Sequence, residues 1–306
     1  MSEHMLQRCA VVGATGFQGG AVARLLTSRG HRVRTLTRKA ASERPELPGV
    51  FCHPGDLDDR DEVLRFLEGA THVSVVMPLM YDPDRIETWA RHLGEAAREN
   101  GVQRIVYNAN TRIPGRTTGV AAFETRRLAE SVLRRSGVDV VVLRPPVYLD
   151  NLFSPWNGPS LARDGILAYP LPAGTETAWI SHADLAEATA AAMFADGIDG
   201  RTFDIGGSQS LTGDRLAQEF AMGLGRGVRY EALPADVFEK GLAAQIGAVA
   251  AAGVAGIYHY MAAGDDPGLL AGDGGTSAQA LGVHPSAVDL WVTHQPWQVW
   301  TGPDAA

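Results

Sequence analysis

Cysteine is scarce in this chain: Cys9 and Cys52 are the two present in 306 residues. Both fall in apolar runs that read as buried strands, so core packing is their expected role. With no Cys-x-x-Cys or His-x-x-x-His spacing, a structural metal site has no support. Positive charge is also short. The 27 Lys and Arg against 35 Asp and Glu leave a formal net charge of −8. That balance argues against an electrostatic grip on nucleic acid or on an acidic membrane surface. Long hydrophobic runs are missing too. The most apolar stretch, Leu242 to Tyr258, is interrupted by Gly247, Gly253 and Gly256 and is at or below spanning length, so it reads as a buried helix. The opening MSEHMLQR lacks the apolar core of a leader peptide, and no internal repeat is evident. A soluble, cytoplasmic protein is the expectation, with its oligomeric state open.

What is present is enough apolar sequence, 45%, for a sizeable core. The first half alternates short β-branched runs with helical patterns. Candidate strands are residues 8–12, Arg32–Thr37, Val50–His53, His72–Val76, Arg104–Asn108 and Val138–Leu143. Several are nearly continuous apolar sequence, as expected for a parallel sheet covered on both faces. Between them, Asp58 can cap a helix bearing Val63, Phe66 and Leu67. Asp82-Pro83 can open one bearing Ile86, Trp89, Leu93 and Ala97, and Phe123, Leu128 and Val132 mark a third. Six strands alternating with helices predict an α/β fold, a doubly wound parallel sheet of the Rossmann type. After about Leu149 the elements shorten and prolines and glycines cluster. A capped helix from Ser181 to Phe194, a strand Thr202–Ile205 and a helix from about Asp214 follow. Residues 1–149 are expected to form the nucleotide-binding domain. Residues 150–306 would form a smaller, mixed substrate lobe that interleaves with it and closes over the carboxyl ends of the strands.

The segment Cys9 to Gly20, CAVVGATGFQGG, organises the rest. An apolar strand stops at Gly13, Gly16 and Gly19 follow at equal intervals, and a helical pattern runs on to a capping Gly30. In that context the first glycine permits a sharp turn, the second a close approach of backbone to pyrophosphate, and the third close packing of helix on strand. The phosphates would sit at the helix N-terminus, with Thr15, Phe17 and Gln18 in the same turn. An NAD site usually carries Asp or Glu about twenty residues further on, for the ribose 2′-hydroxyl. Here no acidic residue occurs between Gly20 and Ser42, and the second strand ends in Arg38-Lys39. A guanidinium and an ammonium there suit a 2′-phosphate, so the cofactor expected is NADP(H). Asp56-Leu57 after the third strand, Met77-Pro78 after the fourth, Asn110 after the fifth and Val147 after the sixth are the further candidate contacts. Asp56 could instead cap the next helix, although Asp58 fits that task better.

VVGATGFQGG, Arg38-Lys39, Gly55-Asp56-Leu57, Leu143-Arg144-Pro145-Pro146 and Tyr148-Leu149-Asp150-Asn151 together resemble the NmrA-like family of atypical short-chain dehydrogenase/reductases. The resemblance covers roughly residues 8–210 well and the C-terminal lobe loosely. It implies either an NADPH-dependent reductase of quinones, dyes or phenylpropanoids, or a redox-sensing regulator that binds NADP without catalysis. Ordinary short-chain reductases carry Tyr-x-x-x-Lys on the helix after the fifth strand, and NmrA-like reductases often keep the lysine. This chain has Ala122-x-x-x-Arg126 there. Alanine has no proton to give and arginine none to exchange. Arg126 could bond the nicotinamide ribose and add positive field, or it could face solvent in the run Arg126-Arg127. Tyr148, just past the sixth strand, is the favoured alternative proton source, ahead of Tyr81, His182 and His259. Ser181-x-x-Asp184 reads as a capping box, which accounts for His182 and Asp184 without any catalytic role. Without an obvious acid, the reaction expected is hydride transfer to a conjugated, largely apolar small molecule such as a quinone, an enone or an iminium. The alternatives are an NADP(H) sensor acting through a protein partner, and a non-redox enzyme on the same fold.

Overall fold

A computed structural model describes residues 6–39 and 46–301. The first five residues of the opening segment, and residues 40–42 of the stretch without acidic residues, lie outside them. The main sheet contains β1 (Arg8–Val12), β2 (Arg32–Thr37), β3 (Val50–Pro54), β4 (His72–Val76), β5 (Arg104–Asn108), β6 (Asp139–Leu143) and β8 (Thr202–Phe203), in the order β3-β2-β1-β4-β5-β6-β8. Every pairing is parallel. The order reverses between β1 and β4, and the carboxyl ends of those two strands open the crevice where such sheets bind ligands. Thr202–Phe203, the shortened form of the strand expected at 202–205, extends the sheet beyond the six strands of the first half.

Helices cover both faces. One layer is α2 (Arg60–Leu67), α3 (Pro83–Glu99) and α4 (Ala121–Arg134), which bury Phe66, Ile86, Trp89, Leu93 and Leu133. The other is α1 (Phe17–Ser28) with α6 (His182–Phe194), packed on Val11, Val33, Val106 and Val141. Gly30, at φ 84°, ends α1 in a Schellman motif: its amide bonds the Thr27 carbonyl and the His31 amide bonds that of Leu26. A third core, around Tyr169, Trp179, Phe220 and Trp291, joins α5 (Gly158–Asp164), α7 (Gly213–Leu224), α11 (Val288–Thr293) and the small parallel sheet of β7 (Ile166–Tyr169) and β9 (Arg229–Ala232).

Three sequence expectations need correction. The cap of α2 is Asp59, whose carboxylate accepts from the Asp61 and Glu62 amides; Asp58, one residue early, turns to α3 and takes the Trp89 Nε1–H at 2.6 Å. Cys52 is half-buried because β3 is the sheet edge, whereas Cys9 in the central strand is buried and its thiol is pushed up to about 12 by desolvation. The stretch Leu242 to Tyr258 is not one buried helix. Gly247, at φ 83°, breaks it into α8 (Ala235–Ile246) and α9 (Ala248–Ala263), and α8 buries little beyond Ala235 and Phe238.

Candidate functional site

The β1–α1 turn is shaped by its glycines. Gly13 takes φ +83°, and the Gly16 amide closes the turn on the Gly13 carbonyl at 2.9 Å. A Cβ at Gly19 would stand 2.4 Å from the Gly13 carbonyl oxygen, so the first turn of α1 lies directly on the strand end. No side chain caps the α1 N-terminus at Gly16, which leaves its first amides without a side-chain partner. A groove of about 440 Å³ runs past this turn. Leu36, Thr37, Arg38, Lys39, Asp56, Leu57 and Trp89 line it, as do Gly13, Thr15, Gly16, Phe17, Gln18 and Gly19 of the turn itself. Met77, Pro78, Leu79, Asn110, Asn151 and His182 line it as well. Arg38 is largely exposed and lies 3.6 Å from the Asp56 carboxylate. Asp56 caps no helix; its carboxylate accepts from the Asp58 amide, and its own amide is held by Glu62 at 2.7 Å.

Behind Gln18 stands a polar network from the ends of β5 and β6. Gln18 Nε2 donates to Asn110 Oδ1 at 2.6 Å, and its Oε1 accepts from Asn108 Nδ2 at 2.9 Å and from the Tyr148 hydroxyl at 3.0 Å. Asn110 holds φ 63°, a left-handed conformation that asparagine tolerates better than most residues, and its amide is fixed on Asn108 Oδ1 at 2.8 Å. Tyr148 is therefore one layer behind the groove. Burial pushes its phenol well above the ordinary tyrosine range, so it keeps its proton on Gln18.

Arg126 is neither in the groove lining nor facing solvent. It is buried, its Nη1 donates to the Met80 carbonyl at 3.1 Å, and its guanidinium lies 5.3 Å from the Tyr81 ring centre. That ring also lies against α9, where a Cβ at Gly253 would come within 2.1 Å of it. Arg127 is the outward member of the pair, bonded to Glu124 and to the Pro114 and Arg116 carbonyls. Ala122, where a catalytic tyrosine would stand, is buried. Val147 is buried and its carbonyl is taken by the Ile180 amide.

A model of the NmrA-like family matches residues 5–266. The chain belongs to the NmrA-like family. Among curated relatives it is 29% identical over 232 residues to an NAD(P)H azoreductase of Xenophilus azovorans, covering 73% of this chain and 76% of that one. Among solved structures it resembles the triphenylmethane reductase of Citrobacter sp. complexed with NADP(H). There the TM-score is 0.73 and identity 20%, over 93% of this chain and 98% of that one. It also resembles NmrA, a negative transcriptional regulator, in complex with NADP, with TM-score 0.74 and 17% identity over 96% and 100% of the two chains.

Several groove residues of this NmrA-like chain carry no local sequence signal for a site, among them Leu36, Thr37, Leu79, Trp89 and Asn151. Asn151 comes from the 3₁₀ turn Leu149–Phe153 and bonds the Tyr169 hydroxyl at 3.0 Å; Trp89 was read as core and its edge reaches the groove. The Ser181-x-x-Asp184 pair does cap α6: Ser181 Oγ accepts from the Asp184 amide at 3.0 Å and donates to the Asp184 carboxylate at 2.7 Å. Yet His182, as the first residue of α6, projects its ring into the groove wall. Its Nδ1 is 3.3 Å from Asp150 Oδ1 and its amide donates to Asp150 Oδ2 at 2.8 Å. His259 is remote, paired with Glu239 on the helical hairpin. Among the described residues no cluster of three His, Cys, Asp or Glu is placed to hold a metal ion, and no helix is long and apolar enough to cross a membrane.

Proposed function

We propose that this protein is an NADPH-dependent reductase that passes hydride to a conjugated, largely apolar acceptor of quinone, enone, azo or iminium type. The observation that carries the reading is the groove itself: a glycine-lined helix N-terminus with a basic end at Arg38-Lys39 and a polar end at Asn110 and His182. The residues fit the dinucleotide. A Cβ at Gly19 would stand 2.4 Å from the Gly13 carbonyl, and Gly13 itself holds φ +83°, so the turn keeps its backbone free of side chains beside the helix N-terminus that would take the pyrophosphate. Arg38 and Lys39 flank the site of a 2′-phosphate, with Asp56 beside Arg38 to orient it. Leu57 and Trp89 offer apolar walls to the adenine, and Met77-Pro78 to the nicotinamide. When bound, the cofactor supplies hydride. The chain holds it against the Gln18–Asn110 pair and closes the side of the missing Tyr–Lys pair with Tyr81 and Arg126. An acceptor that tolerates hydride before its proton suits such a site.

The test is a calorimetric titration with NADPH, NADP⁺, NADH and NAD⁺, followed by turnover with a panel of quinones, azo dyes and triphenylmethane dyes. Preference for the phosphorylated pair, lost in Arg38→Ala, is the expected outcome. Nucleotide binding with no hydride transfer to any of the panel would refute the reductase reading. One observation favours a second reading, a nucleotide sensor acting on a protein partner: Ala122 and the immobilised Arg126 leave the usual catalytic helix without an acid. A sensor must bind NADP⁺ and NADPH with different affinity, so equal affinities would remove that reading.

A further inference from the structure

The groove has a shared wall that points to a proton donor. A second hollow, about 930 Å³, lies between α1 and α6, and Phe17, Asp150 and His182 are among its lining. Phe17 and His182 line the nucleotide groove as well, so these two rings separate the spaces. The His182 side chain is 14% exposed. Its ring packs 4.9 Å from Tyr148 and lies nearly parallel to Phe17, at 12° with 6.4 Å between centroids. Asp150 grips both its amide and its Nδ1. Among the described residues no other hydrogen bond engages the imidazole, which leaves Nε2 for exchange. The carboxylate behind Nδ1 fixes the orientation of the ring.

We propose that His182, oriented by Asp150, donates the proton in the reduction; this rests on the reductase reading above. The acceptor takes hydride from bound NADPH, which becomes NADP⁺. One bond of its conjugated system falls by one order, and the charge left on oxygen or nitrogen takes the proton from Nε2. His182 is then neutral, with its Nδ1–H still on Asp150. It is reprotonated from the second hollow, whose rim includes the exposed Arg24 and Ser28. The groups that face it are Asp150 and Tyr148 in contact, and Arg24, Asp184, Glu187 and His284 across the hollow.

Two acceptors separate the proton from the hydride. A neutral para-quinone needs both, whereas a cationic triphenylmethane dye becomes its neutral leuco form on hydride alone. His182→Gln should slow quinone reduction about 100-fold and dye reduction at least about tenfold less, the size expected of a lost general acid. Asp150→Asn should slow quinone reduction more than dye reduction, because the ring loses the carboxylate that orients it. Independently of turnover, the ring signals of His182 in an NMR spectrum, assigned by their loss in His182→Gln, should shift on addition of NADP⁺. Equal slowing of both acceptors, or signals indifferent to NADP⁺, would overturn the assignment while the reductase reading stood. A wild type that reduces neither acceptor would remove the reading and the proposal together.

Discussion

Replacing Gly19 with alanine tests the site's foundation, because the geometry separates its effect from that of Gly16. An ideal Cβ on Gly19 lies 2.4 Å from the Gly13 oxygen, 2.5 Å from its carbonyl carbon and 2.9 Å from the Ala14 nitrogen. All three are backbone atoms of a turn closed by its own hydrogen bond, so none can yield as a side-chain tip would. Ordinary contact requires α1 to retreat by about 1 Å, and such overpacking costs about 1–3 kcal/mol. The retreat also withdraws the amides that would face a pyrophosphate. Losing one charge-assisted bond at about 1.5–3 kcal/mol weakens NADPH binding roughly 10- to 150-fold. Gly16 differs: its φ is −100° and its Cβ would come no nearer than 3.4 Å to the Gly13 oxygen. Gly16→Ala should therefore keep its stability while obstructing the nucleotide, and Gly19→Ala should lose both. Urea denaturation and calorimetric titration of the two variants decide it. A Gly19→Ala protein within about 0.5 kcal/mol of wild type, binding NADPH as tightly, would refute the reasoning.

Other consequences follow from the packing. Arg104 binds Asp139, Asp199 and the Ala192 and Ala195 carbonyls beneath the sheet. Arg104→Met strands Asp139 and the two carbonyls, Asp199 being largely exposed, and denaturation should show a loss of about 3 kcal/mol. Burial holds the His72 imidazole at about 4 against its ordinary 6.5. The unfolded chain thus takes up a proton that the folded one refuses, and stability should fall as pH drops from 6.5 toward 4. His72→Gln should flatten that slope by on the order of 2 kcal/mol, less than the full shift because the ring borders an open hollow. Gly253→Ala should cost about 1–3 kcal/mol through the Tyr81 ring. In the Tyr81→Ala background that cost should vanish, a coupling that a double-mutant cycle measures.

The half of the molecule built from central parallel strands was legible because its signals are local. The ends of β2, β4 and β5 fall where the apolar runs stop, and Asp82-Pro83 and Gly30 punctuate their helices as their backbone chemistry requires. The edge strand β3 was misjudged at Cys52 for the converse reason: an edge has one neighbour, and a short run of sequence does not record which strand is outermost. The α2 cap was missed by a single position because Asp58 and Asp59 are chemically alike. What separates them is a partner on another helix, Trp89, that recruits the first and leaves the second to the amides.

The far end of the groove was less legible, and the residues there show why. Arg126 and Arg127 are neighbours with one chemistry, and the inward one meets Tyr81, on the loop before α3 and against Gly253 of α9. The spacing within α4 does place Arg126 on the buried stripe of Ala122, Ala129 and Leu133 and leaves Arg127 off it, but it is silent about the partner that Arg126 meets there. His182 presents the opposite difficulty, since its surroundings in sequence already had a sufficient explanation in the Ser181–Asp184 cap. A capping box accounts for backbone amides and is silent about the side chain of the residue inside it. That side chain acquires its meaning from Asp150, 32 residues earlier, and from Phe17 in the first glycine turn. Each of the three is unremarkable on its own element. A catalytic reading becomes available when the crossover from β6 into α6 brings the end of one strand against the start of the first helix. In a fold whose ligands sit at loop junctions, it is the capped and apparently explained first turns of later helices that merit substitution.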